Sequence, residues 1–314
     1  MYYIGVDLGG TNISTGLVNE KGEIICKASA KTLGSREPSE IAKDMAQTVL
    51  EVIKNGGISE DEVHSVGIGV PGCVDNKQGK VIYTSNMNFS GFNLVPEMQK
   101  YINKPVFMAN DANCAALGET VNGAAKGHSN VILITIGTGI GGGFVYDTKI
   151  YTGFNDAAME VGHMTINAEG KKCNCGRLGC WERYASANGL IELTEEFMKE
   201  NENTLMHELA EKTGHVSGRT SFDAARAGDE VAIKVVDKYA FYLGAGLANL
   251  INIFQPEMII VGGGISHEGD FLLDRVREYI KTNTYGYGMI PNTVIEKAVL
   301  ENDAGIIGAA FIGK

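Results

Sequence analysis

The stretch HMTINAEGKKCNCGRLGC, His163 to Cys180, holds one imidazole and three of the chain's six thiols. The thiols fall as Cys173-x-Cys175-x4-Cys180. Four soft or borderline donors suit a closed tetrahedral zinc site of the Cys3His type, with His163 as the fourth ligand. The spacing departs from the common finger patterns, so unligated thiols are the competing reading. Four protein ligands leave no open position, which predicts a structural metal and not a catalytic one. The flanks carry the chemistry: Glu160 stands three residues before His163, and Glu182 two after Cys180. A metal knot holding both ends of the loop could present both carboxylates to a polyhydroxylated ligand such as a sugar. The imidazole nitrogen turned away from the metal could donate to a further hydroxyl. Either glutamate alone reads as a surface carboxylate.

A third carboxylate sits in MANDANCAALGE, where Asn110-Asp111 separates a strand pattern from a helix pattern. Asn and Asp are favoured helix caps, and capping accounts for either residue by itself. A carboxylate at a helix N-terminus also stays ionised. It can accept a hydrogen bond from a substrate hydroxyl and take its proton during phosphoryl transfer, which makes Asp111 the candidate base.

Three glycine turns, Gly9-Gly10, Gly137–Gly143 and Gly262–Gly264, each follow an apolar run. Glycine lets backbone N–H groups approach a phosphate closely. Asp7 and Thr11 in DLGGT, with Thr135 and Thr138 in TIGTG, add a carboxylate and hydroxyls, the groups a magnesium-bound triphosphate between two loops needs. Asp7 alone reads as a turn residue. GTGIGG formally matches a dinucleotide fingerprint, but the residues that follow read as strand where that motif needs a helix. GAAFIGK lacks the hydroxyl of a P-loop and is set aside.

The elements that must position these groups are legible in outline. YYIGVDLGG reads as a strand entering a turn, and ISTGLVNEKGEIICKASA as a hairpin around Lys21-Gly22. A helix follows with Ser39 as N-cap, an apolar face of Ile41, Met45, Val49, Val52 and Ile53, and a stop at Gly56-Gly57. SVGIGVPG and KPVFMAND are further strands. From Val131 the order strand, glycine turn, strand, short turn, strand recurs, setting Asp7 against Thr135 and implying a duplicated βββ unit. LIELTEEFMKE and DEVAIKVVDKYAFYLGAGLANLINIF are helical, with Gly244 and Gly246 marking close packing. EMIIVGGGIS is a buried strand, and FLLDRVREYI and the terminal AGIIGAAFIGK complete the pattern.

With 314 residues the chain is long enough for two domains, or for one large one with a generous core. A formal charge of −11 argues against nucleic acid or an anionic membrane as the main partner. The apolar runs are strand-length and no leader pattern is present, so a cytoplasmic protein with reduced thiols is expected. Cys26, Cys73 and Cys114 are scattered and read as small apolar residues.

Taken together, GVDLGGTN, GIGVPG, NDANCAALGE, TIGTGIGGG, EVGHMTINAEGKKCNCGRLGCWERYAS and IIVGGGIS resemble the ROK family of sugar kinases and repressors. Within it the chain is most similar to the zinc-containing bacterial glucokinases. The resemblance implies an α/β protein of the actin/hexokinase-like (ribonuclease H-like) fold, two α/β domains around a cleft. It implies a small domain over 1–112 completed by the C-terminal helix 299–314, and a large domain over 113–298 carrying the zinc loop. ATP and magnesium would lie on Asp7, Gly9, Gly10, Thr11, Asn12, Thr135, Gly137, Thr138, Gly139, Gly263 and Gly264. Asn110, Glu160, His163 and Glu182 would hold sugar hydroxyls, with Gly72 and Asn86 as further contacts. Asp111 would be the base, and His163, Cys173, Cys175 and Cys180 would bind structural zinc. The implied reaction converts glucose to glucose 6-phosphate, in a homodimer or homotetramer. A kinase for N-acetylmannosamine, N-acetylglucosamine or allose, or a non-catalytic sugar sensor, are the alternatives. Asn12 stands where many relatives have lysine, so a phosphate-side charge must be absent or come from elsewhere. Repressors of the family carry a DNA-binding segment before the DLGGT strand, which here begins at residue 2.

Overall fold

The structure, a computed structural model, describes residues 1–84 and 87–314. The chain opens with β1 (Tyr2–Leu8), which turns into β2 (Asn12–Asn19), and β2 forms the expected hairpin around Lys21-Gly22 with β3 (Ile24–Lys31). Helix α1 (Pro38–Asn55) starts one residue ahead of Ser39. Pro38 occupies the first helical position, where its fixed φ and missing N–H cost nothing, and this overrides the capping preference of the serine that follows. Strand β4 (Val63–Val70), a small ribbon of β5 (Cys73–Asp75) with β6 (Lys80–Tyr83), short helix α2 (Leu94–Met98) and strand β7 (Val106–Asn110) follow. Strand β7 runs straight into helix α3 (Asp111–Asn122).

The second half opens with β8 (Val131–Ile136), β9 (Ile140–Tyr146) and β10 (Lys149–Ile150). Helices α4 (Glu182–Ala185), α5 (Ala187–Glu200), α6 (Leu205–Thr213), α7 (Thr220–Arg226) and α8 (Glu230–Phe254) come next. Strand β11 (Met258–Gly262), helix α9 (Asp270–Asn283), strand β12 (Val294–Lys297) and helix α10 (Asp303–Phe311) close the chain.

Two five-stranded sheets follow one plan, β3-β2-β1-β4-β7 and β10-β9-β8-β11-β12. Asp7 and Thr135 are each the penultimate residue of the first strand of their βββ unit, the equivalence drawn from the sequence. In the first sheet β1 pairs antiparallel with β2 and parallel with β4, and β4 runs parallel to β7. The carboxyl ends of β1 and β7 therefore point the same way, and they carry Asp7 and Asn110.

The chain divides into two compact units, one of 1–133, 143–159 and 298–314, the other of 134–142 and 160–297. The first keeps α3 and most of β9, beyond residue 112 where the sequence reading divides the chain. Its apolar core lies between the first sheet and α1, with Ile4, Val6, Leu17, Met45, Val49 and Ile68 fully buried. Helix α10 lies on the opposite face of this sheet and against α3. That approach depends on missing side chains: a Cβ on Gly5 or Gly67 would stand 1.8 Å from a carbonyl oxygen of α10. Buried Glu119 fixes the entry to α10, its Oε1 accepting from the N–H groups of Val299 (3.0 Å) and Leu300 (2.8 Å). In the second unit, Trp181 is fully buried against α8. A Cβ on Gly246 would fall 2.0 Å from its ring, which is the close packing expected there.

Candidate active site and metal centre

In the first unit the turn between β1 and β2 is closed by its own backbone. Gly9 N–H donates to Asn12 O (3.0 Å), and Thr32, the residue after β3, holds it with its N–H on Thr11 O (3.0 Å) and its hydroxyl on Gly9 O (2.6 Å). Those carbonyls are thus engaged, and a Cβ on Gly10 would meet nothing within 4 Å. Asn12 heads β2, and its Oδ1 accepts from Lys31 Nζ at 2.9 Å. Asp7 is largely covered, and a Cβ on Gly305 in the first turn of α10 would lie 3.0 Å from its carboxylate. Burial pushes the Asp7 carboxyl up to about 6, and the charge of Asp111 adds to the push.

At the end of β7, Asn110 caps α3, its Oδ1 accepting from the N–H groups of Ala112 (2.9 Å) and Asn113 (3.2 Å). Its Nδ2 donates to Gly72 O at 3.2 Å. Gly72 has φ +142, and a Cβ there would meet Tyr83 O at 2.1 Å, so no other residue fits. Asp111 is the first residue of α3 and accepts from the Ala112 N–H at 2.8 Å. The N-cap of α3 is thus Asn110, and Asp111 shares the Ala112 N–H with it. Asn86 lies outside the described residues.

In the second unit, Thr135 sits in β8 and leads to an exposed Thr138 in the turn that follows. Gly137 N–H donates to Gly139 O (3.0 Å), and Gly137 O accepts from Ala187 N–H at the start of α5 (2.9 Å). A Cβ on Gly139 would stand 2.7 Å from Glu182 Oε2, so the glycine turn and this glutamate are immediate neighbours. Gly263, after β11, has φ +82 and packs on Ile136, where a Cβ would meet the carbonyl at 2.4 Å, while Gly264 faces open space. The first and third turns of the sequence reading, Gly9-Gly10 and Gly263-Gly264, belong to different units.

His163, Cys173, Cys175 and Cys180 converge, with all four donor atoms within 4.8 Å of one another. Cys173 Sγ is 3.7 Å from His163 Nδ1, and Cys175 Sγ is 3.5 Å from Cys180 Sγ. Zinc bonds of ordinary length in a tetrahedron require donor separations of about 3.5 to 3.8 Å, so the four residues fit that ion. His163 turns Nδ1 to the thiols, which leaves Nε2 for another partner. Glu182 Oε1 lies beside the cluster, 3.1 Å from Cys173 Sγ and 3.5 Å from His163 Nδ1. Burial pushes the Cys173 thiol up to about 12 and raises that of Cys180; the Arg177 backbone N–H draws exposed Cys175 down.

The loop folds locally as a tight reversal. Cys173 N–H donates to Arg177 O (2.8 Å), and Gly176 and Gly179 take φ of +90 and +71. Its far end is anchored by Trp181, whose indole N–H donates to Tyr242 O at 2.9 Å. Glu160, before the cluster, joins the same unit, and its carbonyl accepts from His163 N–H at 3.1 Å. Two contributors escaped the sequence reading. Trp181, the only tryptophan of the chain, adjoins Cys180 and was a signal available but unused. Gly305 lies in a run of small residues with nothing local to link it to Asp7.

The ROK family model matches residues 3–314. A glucokinase of Thermotoga maritima is 38% identical over 317 residues, covering 99% of this chain and 96% of the relative. A xylose repressor of Bacillus subtilis is 33% identical over 95% of this chain and 74% of its own length. Among solved structures, a ROK family glucokinase from Streptomyces griseus in complex with glucose and AMPPNP superposes with a TM-score of 0.79. It is 35% identical, and the match covers 99% of this chain and 98% of that one.

Proposed function

The chain belongs to the ROK family, and from that premise we propose that it is an ATP-dependent glucokinase of the actin/hexokinase-like fold. It transfers the γ-phosphoryl group of ATP to the primary hydroxyl of glucose, giving glucose 6-phosphate and ADP. The observation that carries the reading is Asp111 as the first residue of α3, beside a cap supplied by Asn110. Asp111 accepts the hydrogen bond of the sugar hydroxyl. As the new O–P bond forms and the bond from the γ-phosphorus to the β,γ-bridging oxygen breaks, the hydroxyl proton passes to its carboxylate. Nucleophile and phosphoryl group need only be held in line, so positioning and electrostatics supply most of the rate.

Glu160, Glu182 and His163 Nε2 are the proposed partners of the other hydroxyls, and the second amide hydrogen of Asn110 and the Gly72 backbone are proposed as further contacts. The turns Gly9–Asn12, Thr135–Gly139 and Gly263-Gly264 cradle the nucleotide through backbone N–H groups and threonine hydroxyls. Magnesium, when bound near Asp7, would neutralise charge on the β- and γ-phosphates. His163, Cys173, Cys175 and Cys180 would hold a structural zinc, which would fix the loop that carries His163. Among the described residues no helix is long and apolar enough to cross a membrane. The three thiols need a reducing compartment, and the cytoplasm is the setting proposed. A homodimer or homotetramer is proposed as the assembly, for which sedimentation is the test.

Purified, zinc-loaded protein with MgATP, offered glucose, mannose, fructose, allose and the two N-acetylated hexosamines, tests the reading by ADP release. Glucose should give the highest kcat/KM. Preference for another of these sugars would replace the substrate and keep the chemistry. Sugar binding without ADP release would favour the second reading, a sensor, which the likeness to a xylose repressor keeps in view.

A further inference from the structure

A triphosphate carries several negative charges, yet the turn Gly9–Thr11 that should cradle it holds no cation of its own. The neighbouring carboxylates Asp7 and Asp111 make the need for positive charge greater. We propose that Lys31 supplies it: its ammonium, held over the turn by Asn12, contacts the phosphate oxygens of the bound nucleotide. The inference rests on the kinase reading above and adds to it a binding residue and a positioning residue.

Four observations carry it. Asn12 and Lys31 are direct partners in the β2–β3 register, so the lysine projects from the rung next to the turn. Its Nζ reaches back across that rung to Asn12 Oδ1, 2.9 Å away, and not outward along the sheet edge. Among the described residues no carboxylate pairs with this ammonium, whereas Lys27 is taken by Asp303 and Arg36 by Asp44. The backbone that follows its side chain is fixed: Arg36 donates to the carbonyls of Lys31 (3.2 Å) and Thr32 (3.0 Å), and Thr32 clamps the turn itself. A neutral amide is the suitable holder. It orients the ammonium without neutralising it, so the full charge remains for phosphate.

The test is MgAMPPNP affinity by calorimetry, with ATP and glucose kinetics alongside. Lys31→Ala should weaken MgAMPPNP binding roughly tenfold or more, the loss of one charge-assisted contact. Glucose affinity and melting temperature should not move, because the side chain is exposed. The double variant Asn12→Lys with Lys31→Ala moves the ammonium across one rung and should recover most of the nucleotide affinity. Asn12→Asp, which ties the lysine into an ion pair, should mimic its loss. Unchanged MgAMPPNP affinity in Lys31→Ala overturns the proposal. So does a loss that the double variant fails to recover and that comes with a lowered melting temperature, the mark of a structural lysine. If the parent protein binds MgAMPPNP but phosphorylates no sugar, the kinase reading fails alone, and the affinities still decide the role of Lys31. No MgAMPPNP binding by the parent protein overturns both.

Discussion

Asp111 and Asp7 are carboxylates of one unit, and the fold treats them differently. Asp111 sits at the start of a twelve-residue helix, whose N-terminus favours a negative charge. Replacing it by Asn keeps the size and the helix start and removes the proton acceptor. The expected result is a fall in kcat of about 10²- to 10⁴-fold with glucose affinity within a few fold, read by kinetics and calorimetry. Asp7 has the opposite problem. Its carboxyl is raised from 3.8 to about 6 by burial first and by Asp111 second, so the folded state prefers it neutral. The stability this represents is fully present below about pH 4 and is lost as pH rises through 6. At 1.36 kcal/mol per pKa unit, the loss is on the order of 3 kcal/mol. Asp7→Asn should therefore be more stable than the parent at pH 7 in the absence of nucleotide, and urea titrations at pH 4 and pH 7 should show the gap open only at the higher pH. The same variant should lose most of its turnover, because a site that needs a buried charge trades stability for function.

At the scale of elements, the zinc loop is held from two directions. The metal would fix His163 and the thiols, and Trp181 anchors the end of the loop on α8. Cys175→Ser removes a ligand without touching the core, since Cys175 is exposed. It should lower zinc content, melting temperature and glucose affinity together. Normal stability and sugar affinity with no turnover would instead mean that the metal takes part in the chemistry. Gly246→Ala attacks the other anchor. Its methyl would meet the Trp181 ring, and overpacking of this kind costs about 1–3 kcal/mol, measurable by urea denaturation. Much of this was readable beforehand: the four residues that converge in the loop from cysteine spacing, and the two βββ units from apolar alternation broken by glycine turns. The start of α1 was not, because Ser39 and Pro38 both signal a helix N-terminus and only the backbone shows which one prevails. Whether Asn110 or Asp111 caps α3 was hidden for the same reason. The Asn12–Lys31 contact needed the hairpin register, and that register contains an irregularity between Leu17 and Val18 which alternation does not reveal. The β5–β6 ribbon and helices α2, α6 and α7 are too short for periodicity to identify.

For the molecule as a whole, two sheets share one strand order, and the candidate residues are divided between the two units. The first holds Asp7, Asn110, Asp111 and the Gly9–Asn12 turn. The second holds Thr135–Gly139, the metal cluster, Glu160, Glu182 and Gly263-Gly264. The net charge of −11 fits small, oriented ligands better than polyanionic surfaces. The most direct measurement is ADP release by the zinc-loaded protein with MgATP across the hexose panel, run beside Asp111→Asn. Turnover highest on glucose, and abolished in the variant while glucose still binds, is the predicted result. Glucose bound by both proteins with no ADP released by either would contradict it and leave a sugar sensor in its place.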